Sequence, residues 1–170
     1  MGAEQPGAEG ARRIIDRSLY MVLATADAEG RAWPSPVYFA ADGYRQFFWV
    51  SSREATHSKN IDARPQVGIV VFDSGVPIGT GQGVYMQATA EQLSDDELDR
   101  GLEVFSARSL ETGGSAWSRD DLPPSGLMRM YRARATAHSM LAKDGEPDHR
   151  VAVPIEEIAH DEQQKLEEES

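Results

Sequence analysis

The amino-acid sequence predicts a small, mostly antiparallel β-barrel of six to seven strands with flanking helices, which places it in the α+β class. Six or seven short segments rich in strand formers follow one another with turn signals at short spacing. Helices interrupt them after the third and the fifth strand. In a late strand, alanines recur at alternate positions, and this pattern fits the narrow interior of a small barrel.

Composition limits the domain count and the possible partners. The chain has 170 residues, of which 40% are apolar, enough to build one domain with a single core. We expect a disordered N-terminus over 1–10, a globular domain over 11–155 and an acidic tail over 156–170. The net charge of −11 argues against a nucleic acid or an anionic membrane as partner. No cysteine is present, which excludes disulfides, thiolate metal sites and a cysteine nucleophile.

The sequence also predicts a cytoplasmic protein. No charged-then-apolar leader opens the chain. The longest apolar runs, such as "VGIVVF", are far too short to span a bilayer.

The first half of the domain reads as one helix and four strands. In order, they are a helix at 11–19 and strands at 20–26, 31–40, 46–52 and 66–73. The second strand contains Pro34 and Pro36, which cannot donate to a ladder, so this strand is predicted to lie at a sheet edge or beside something other than a strand. The fourth strand is apolar throughout, which predicts burial on both faces.

The second half reads as a strand, a helix, a loop and two further strands. Ser94 and Glu97 match a capping box at the start of the helix. The loop at 108–125 carries Trp117, which either covers a site as a lid or anchors the loop. The long strand 127–141 alternates, and this periodicity places His138 on the outward, solvated face with Arg132 and Arg134. The inward face then holds Tyr131, Ala133, Ala135 and Ala137.

The polar stretch "WVSSREATHSKNI" predicts an anion-binding site. A strand that ends at Ser51 and Ser52 and turns into a helix places free backbone N–H groups and the positive end of the helix dipole at one point. Thr56, His57 and Lys59 add donors and a cation, which suits a phosphate monoester. Alternatively, Ser52 only caps the helix and the remaining side chains are solvated.

Four segments, in order, carry a resemblance to a known family. They are "MVLATADAEGRAWPSPVYF", "FFWVSSREATHSKNIDARPQVGIVVFD", "GQGVYMQATAEQLS" and "MYRARATAHSML". Together they resemble the pyridoxamine 5′-phosphate oxidase-like FMN-binding split barrels over roughly residues 12–155. The resemblance implies a split barrel whose polar strand–loop–helix segment, spaced back from a proline such as Pro65, binds the flavin phosphate and the edge of the flavin ring.

The resemblance also implies which residues contact the cofactor. They are Ser35, Pro36, Val37, Tyr38, Ser51, Ser52, Thr56, His57, Lys59 and Gln82. The biosynthetic oxidases carry Arg at the position of Ser35 and an Arg-Lys pair at the positions of Thr56 and His57. Because this chain lacks those cations, pyridoxamine phosphate is not the expected substrate.

The function that the resemblance implies is an FMN-dependent oxidoreductase acting on an unidentified small molecule. It further implies a homodimer with the cofactor at the subunit interface. Flavin chemistry takes place on the cofactor ring, which agrees with a sequence that shows no Ser-His-Asp spacing, no metal-binding His cluster and no P-loop. Two alternatives remain open: a reductase that uses a deazaflavin coenzyme, and a non-catalytic protein that binds flavin or haem.

Overall fold

A computed structural model describes residues 7–154, which form three helices and eight strands. The helices are α1 (Ala8–Arg17), α2 (Thr56–Ala63) and α3 (Asp95–Glu111). The strands are β1 (Tyr20–Ala26), β2 (Ala32–Tyr38), β3 (Ala40–Asp42), β4 (Gln46–Ser52), β5 (Gln66–Phe72), β6 (Gly83–Gln92), β7 (Met128–Leu141) and β8 (Arg150–Val153). None of the described helices is long and apolar enough to cross a membrane.

The strands form one antiparallel sheet in the order β2-β1-β5-β6-β7-β4-β3, with β8 paired to the end of β7. The sheet curls until β2, at one end, approaches β4 near the other end, and no ladder joins these two strands in the described residues. The predicted fold class is therefore confirmed. The predicted edge position of β2 is also confirmed, because this strand is at one end of the sheet order. Its Pro34 and Pro36 have no N–H to donate to a second neighbouring strand.

The core lies inside the curled sheet, and a second apolar layer lies under α3. Inside the sheet, Trp49 and Tyr131 are fully buried and stack with their ring centroids 5.6 Å apart. The amphipathic α1 covers this core with Ala11 and Ile15. Outside the sheet, α3 packs Leu102 and Phe105 onto the outer face of β4 and β7.

The prediction that β5 is buried on both faces is wrong. Its inward residues Val67, Ile69 and Val71 are buried, whereas Val70 is half-buried and Phe72 is 47% exposed. Only one face of this strand meets the core of the single chain. The apolar side chains on its outer face are left at the surface of the single chain.

The predicted outward position of His138 is also wrong. A β-bulge in the β6–β7 ladder separates the pairs Gln87–Ala137 and Ala88–Ala135, so that Thr136 is an extra residue. The extra residue reverses the alternation, and Ala137 is exposed while His138 is 2% exposed inside the sheet. A strict period of two within β7 could not predict the inward orientation of His138, because the bulge depends on the pairing with β6.

The ends of the predicted domain differ slightly from the observed ones. The first helix begins at Ala8 rather than at residue 11, so residues 8–10 of the expected disordered segment are helical. The acidic tail over 156–170 lies outside the described residues. At α3, Ser94 is the N-cap, but its hydroxyl lies 3.3 Å from the Glu97 carboxylate and makes no capping bond to the backbone, so the predicted capping box is not formed.

Candidate functional site

Three polar side chains from three separate elements meet where the curled sheet is split. Ser35 comes from β2, Ser51 from β4, and His57 from the first turn of α2. The His57 Nδ1 lies 3.2 Å from the Ser35 Oγ, and the His57 Nε2 lies 2.9 Å from the Ser51 Oγ. The imidazole thus spans the gap between two strands that no ladder connects. We call these three residues the seam cluster.

Buried polar contacts hold α2 in this position. Asn60, which is buried, donates from its side-chain amide to the Thr25 hydroxyl on β1 at 3.0 Å. The Ser58 hydroxyl donates to the Ser52 carbonyl at 2.8 Å, and Ile61 enters the core. Because these contacts tie α2 to both β1 and β4, the first turn of the helix is fixed over the split.

No side chain of the described residues caps the N-terminus of α2. Its N-cap residue is Ala55, and the Ser52 hydroxyl instead accepts a hydrogen bond from the Glu54 N–H at 3.1 Å. The interpretation in which Ser52 merely caps the helix is therefore wrong. The first-turn N–H groups of an α-helix have no intrahelical partner, so those of exposed Thr56 and half-buried His57 can bind an anion.

The charges around α2 differ in how exposed they are. Burial lowers the pKa of half-buried His57, so its imidazole is neutral near pH 7. Lys59 is 60% exposed, and its Nζ lies 2.9 Å from Glu54. The hydrogen bond from Lys59 lowers the pKa of that carboxyl. The side chain of Thr56 is exposed at the start of the helix. Lys59 is the cation on this helix that can turn toward a ligand at its N-terminus.

Two more of the predicted site residues, Pro36 and Gln82, line a cleft of about 530 Å³. We call it the β1 cleft; its walls include Arg13, Arg17, Leu19, Tyr20, Val22, Pro36, Phe72 and Gln82. The Gln82 Nε2 donates to the Leu141 carbonyl at 3.4 Å, and the Gln82 Oε1 has no hydrogen-bond partner among residues 7–154. Val37 points into the core, so its side chain lies away from this cleft.

Tyr38 lines a different cleft, of about 640 Å³, beside the C-terminal end of α3. We call it the α3 cleft. The Tyr38 hydroxyl lies 2.8 Å from the Thr112 hydroxyl. Trp117 borders the same cleft, and its backbone is held by Ser106, whose hydroxyl accepts from the Trp117 N–H at 2.7 Å and donates to the Trp117 carbonyl at 2.8 Å. These contacts favour the anchoring role of Trp117 over the lid.

Sequence reasoning missed most of the α3 cleft. Tyr20, Phe105 and Met128 line it and come from β1, α3 and β7, which are distant in sequence. Each reads as an ordinary core or surface residue in its own segment. Elsewhere, among residues 7–154, no three His, Asp or Glu side chains are grouped closely enough to hold a metal ion.

Comparisons with known proteins identify the family and the fold. The profile of the pyridoxamine 5′-phosphate oxidase family matches residues 8–138. No curated protein sequence matches the chain.

Solved structures with the same fold include a haem-binding protein from Mycobacterium smegmatis, with 20% identity and a TM-score of 0.68 over 90% of this chain and 60% of that one. Another is HutZ, the haem storage protein from Vibrio cholerae, with 21% identity and a TM-score of 0.63 over 84% of this chain and 95% of that one. A third is an F420 reductase, with 23% identity and a TM-score of 0.55 over 76% of this chain and 96% of that one. This chain thus spans about three fifths of the length of the mycobacterial protein. Because the family profile covers most of the chain, the protein belongs to the pyridoxamine 5′-phosphate oxidase family.

Proposed function

We propose that the protein is an FMN-dependent oxidoreductase that acts on a small molecule and holds the FMN phosphate at the start of α2. The observation that carries this proposal is the convergence of the seam cluster with the uncapped N-terminus of α2. Hydroxyls, an imidazole and free backbone N–H groups at one point match the acceptor oxygens of a phosphate. Membership of the pyridoxamine 5′-phosphate oxidase family supports this interpretation.

The donor set fits a phosphate monoester. Ser35 and Ser51 each bond to His57, and either hydroxyl can exchange that bond for one to a phosphate oxygen. Lys59 has an exposed ammonium group that can leave Glu54, because an exposed ion pair contributes little to stability. A nearby phosphate favours the imidazolium form of His57, so binding opposes the effect of burial on its pKa.

The β1 cleft fits the flavin ring system. Tyr20, Val22 and Phe72 give it apolar walls, and Pro36 gives it a wall without an N–H donor. In the part of the chain that the structure describes, no group donates to the Gln82 side-chain carbonyl, and the N–H of a flavin ring could donate to it. FMN, when bound, supplies hydride transfer at its own ring. The residues of the chain hold and orient the cofactor and exclude water from it.

We further propose that the protein is a homodimer with the cofactor at the subunit interface. The outer face of β1 and β5 exposes Tyr20 to 59% and Phe72 to 47%, next to half-buried Val22 and Val70. A contiguous apolar surface of this kind is typical of an interaction site. Light scattering should give twice the chain mass at micromolar concentration. A monomer that still binds FMN would contradict the dimer.

Two other cofactors are the alternatives. Similarity to an F420 reductase supports a deazaflavin coenzyme, and similarity to two haem-binding proteins supports a non-catalytic haem-binding or flavin-binding role. The absorbance spectrum of the purified protein distinguishes flavin, deazaflavin and haem. Reduction of bound flavin by NADH or NADPH, followed by reoxidation by oxygen, distinguishes an enzyme from a binding protein.

The proposal is tested by titrating apo-protein with FMN and with riboflavin, which has the same ring and no phosphate. Because the phosphate contacts supply charge-assisted hydrogen bonds, we expect FMN to bind at least tenfold more tightly than riboflavin. Equal affinities refute the phosphate site at α2. If neither compound binds, the FMN proposal fails as a whole.

A further inference from the structure

The α3 cleft has a continuous aromatic wall. Neighbouring rings contact edge to face along the series Tyr20, Tyr38, Phe105 and Trp117, with centroid distances of 6.1, 5.5 and 5.6 Å. Val50 and Met128 add aliphatic surface. A volume of about 640 Å³ is in the range of small-molecule sites. Such walls suit a planar apolar ligand.

The cleft also disfavours an anion. It lies at the C-terminal end of α3, where the helix dipole places partial negative charge. Asp121 is the one ionisable acid among its lining residues, and these residues include no Lys, Arg or His. The nearby Arg108 donates instead to the carbonyls of Asp16 and Ser18. An anionic ligand would therefore meet negative potential without a compensating cation.

One polar group is positioned to orient a ligand. The Thr112 hydroxyl donates to the Arg108 carbonyl at 2.9 Å, so it accepts the hydrogen bond from the Tyr38 hydroxyl at 2.8 Å. The Tyr38 oxygen consequently retains a lone pair for a donor on a ligand. The site thus combines apolar walls with a hydrogen-bond acceptor.

We propose that the α3 cleft binds an uncharged planar aromatic molecule that carries a hydroxyl or N–H donor, and that this is the substrate class of the protein. The second half of this statement rests on the proposed FMN-dependent function. Leu19 and Tyr20 line both the α3 cleft and the β1 cleft, so the two clefts adjoin. A molecule in the α3 cleft thus lies beside the surface assigned to the flavin ring.

The test uses 1-naphthol and 1-naphthyl phosphate, which share a ring system and differ in charge. Binding of 1-naphthol to the full chain is measured by calorimetry. Binding of 1-naphthyl phosphate is measured by its displacement of 1-naphthol, so that phosphate binding at α2 is not counted. We expect the phosphate compound to be at least tenfold weaker.

A matched pair of variants assigns the preference to the cleft. Met128 lines the cleft and is 38% exposed, whereas the adjacent Leu127 is 54% exposed and is not part of its lining. Met128→Lys adds a cation to the cleft, and we expect it to shift the preference toward 1-naphthyl phosphate by about tenfold. Leu127→Lys adds the same charge outside the cleft, and we expect the ratio of the two ligand affinities to stay within twofold of its wild-type value.

Three results would overturn the inference: no binding of 1-naphthol, equal binding of both compounds by the wild type, or equal shifts in the two lysine variants. FMN binding is titrated separately on the same samples. If FMN binds and 1-naphthol does not, this inference fails while the proposed function stands. If 1-naphthol binds and FMN does not, the proposed function fails, and with it the assignment of this ligand class as substrate.

Discussion

Removing the Lys59 ammonium tests the proposed phosphate site most directly. A charge-assisted hydrogen bond contributes about 1.5–3 kcal/mol, which corresponds to a ten- to hundredfold change in affinity. Lys59 is exposed, and its ammonium already lies 2.9 Å from the Glu54 carboxylate. Losing that contact offsets a small part of the binding free energy that Lys59 gains from the phosphate. For Lys59→Ala we therefore expect FMN affinity to fall about tenfold, at the lower end of this range. Riboflavin affinity should stay within twofold.

Two further variants separate the local contact from a general charge effect. Arg64→Ala removes the same charge beyond the C-terminal end of α2, where Arg64 donates to the Ala28 carbonyl, and it should leave both ligands nearly unaffected. Glu54→Gln frees Lys59 and removes a like charge from the phosphate, so FMN affinity should rise a few-fold. Calorimetric titration of apo-protein at 0.15 M salt measures all three variants. Equal losses of FMN and riboflavin, or an effect of Arg64→Ala as large as that of Lys59→Ala, would refute the reasoning.

Two predictions concern stability. Burial lowers the pKa of His138. The nearby Tyr44 carbonyl opposes this shift only in part, because its geometry to the imidazole is poor for a hydrogen bond. The folded state thus binds fewer protons than the unfolded chain, and stability is lost as pH falls below about 6.5. In urea unfolding, His138→Leu should lose less unfolding free energy on acidification than wild type, by up to about 1.4 kcal/mol per pH unit. The same pH dependence in both proteins would contradict a buried neutral imidazole. Asn60→Ala removes the buried hydrogen bond to Thr25 and should lower the free energy of unfolding by about 1–3 kcal/mol. Asp62→Ala, at an exposed position on the same helix, should change it by less than about 0.5 kcal/mol. Equal effects of the two variants would show that Asn60 does not hold α2 in place.

The sequence by itself determined the fold class, the edge strand and the polar segment of the candidate site. Alternation and turn signals are local properties, so they predict strands wherever the chain forms them. The two prolines of β2 exclude a second ladder regardless of the rest of the fold. Ser51 and His57 lie only six residues apart, and a strand followed directly by a helix brings them together. These features depend on short-range geometry, which the order of the residues already contains.

The tertiary structure alone decided which distant residues meet. Ser35 reaches His57 only because the sheet curls and brings β2 toward β4. The aromatic wall of the α3 cleft forms only when α3 packs on the sheet and brings Phe105 against Tyr38. The orientation of His138 depends on a bulge against β6, which no pattern within β7 reveals. Clefts and buried side chains arise from long-range packing, in which each surface is completed by segments far away in the chain. A local pattern predicts which elements form, but the contacts between elements depend on how the whole chain packs.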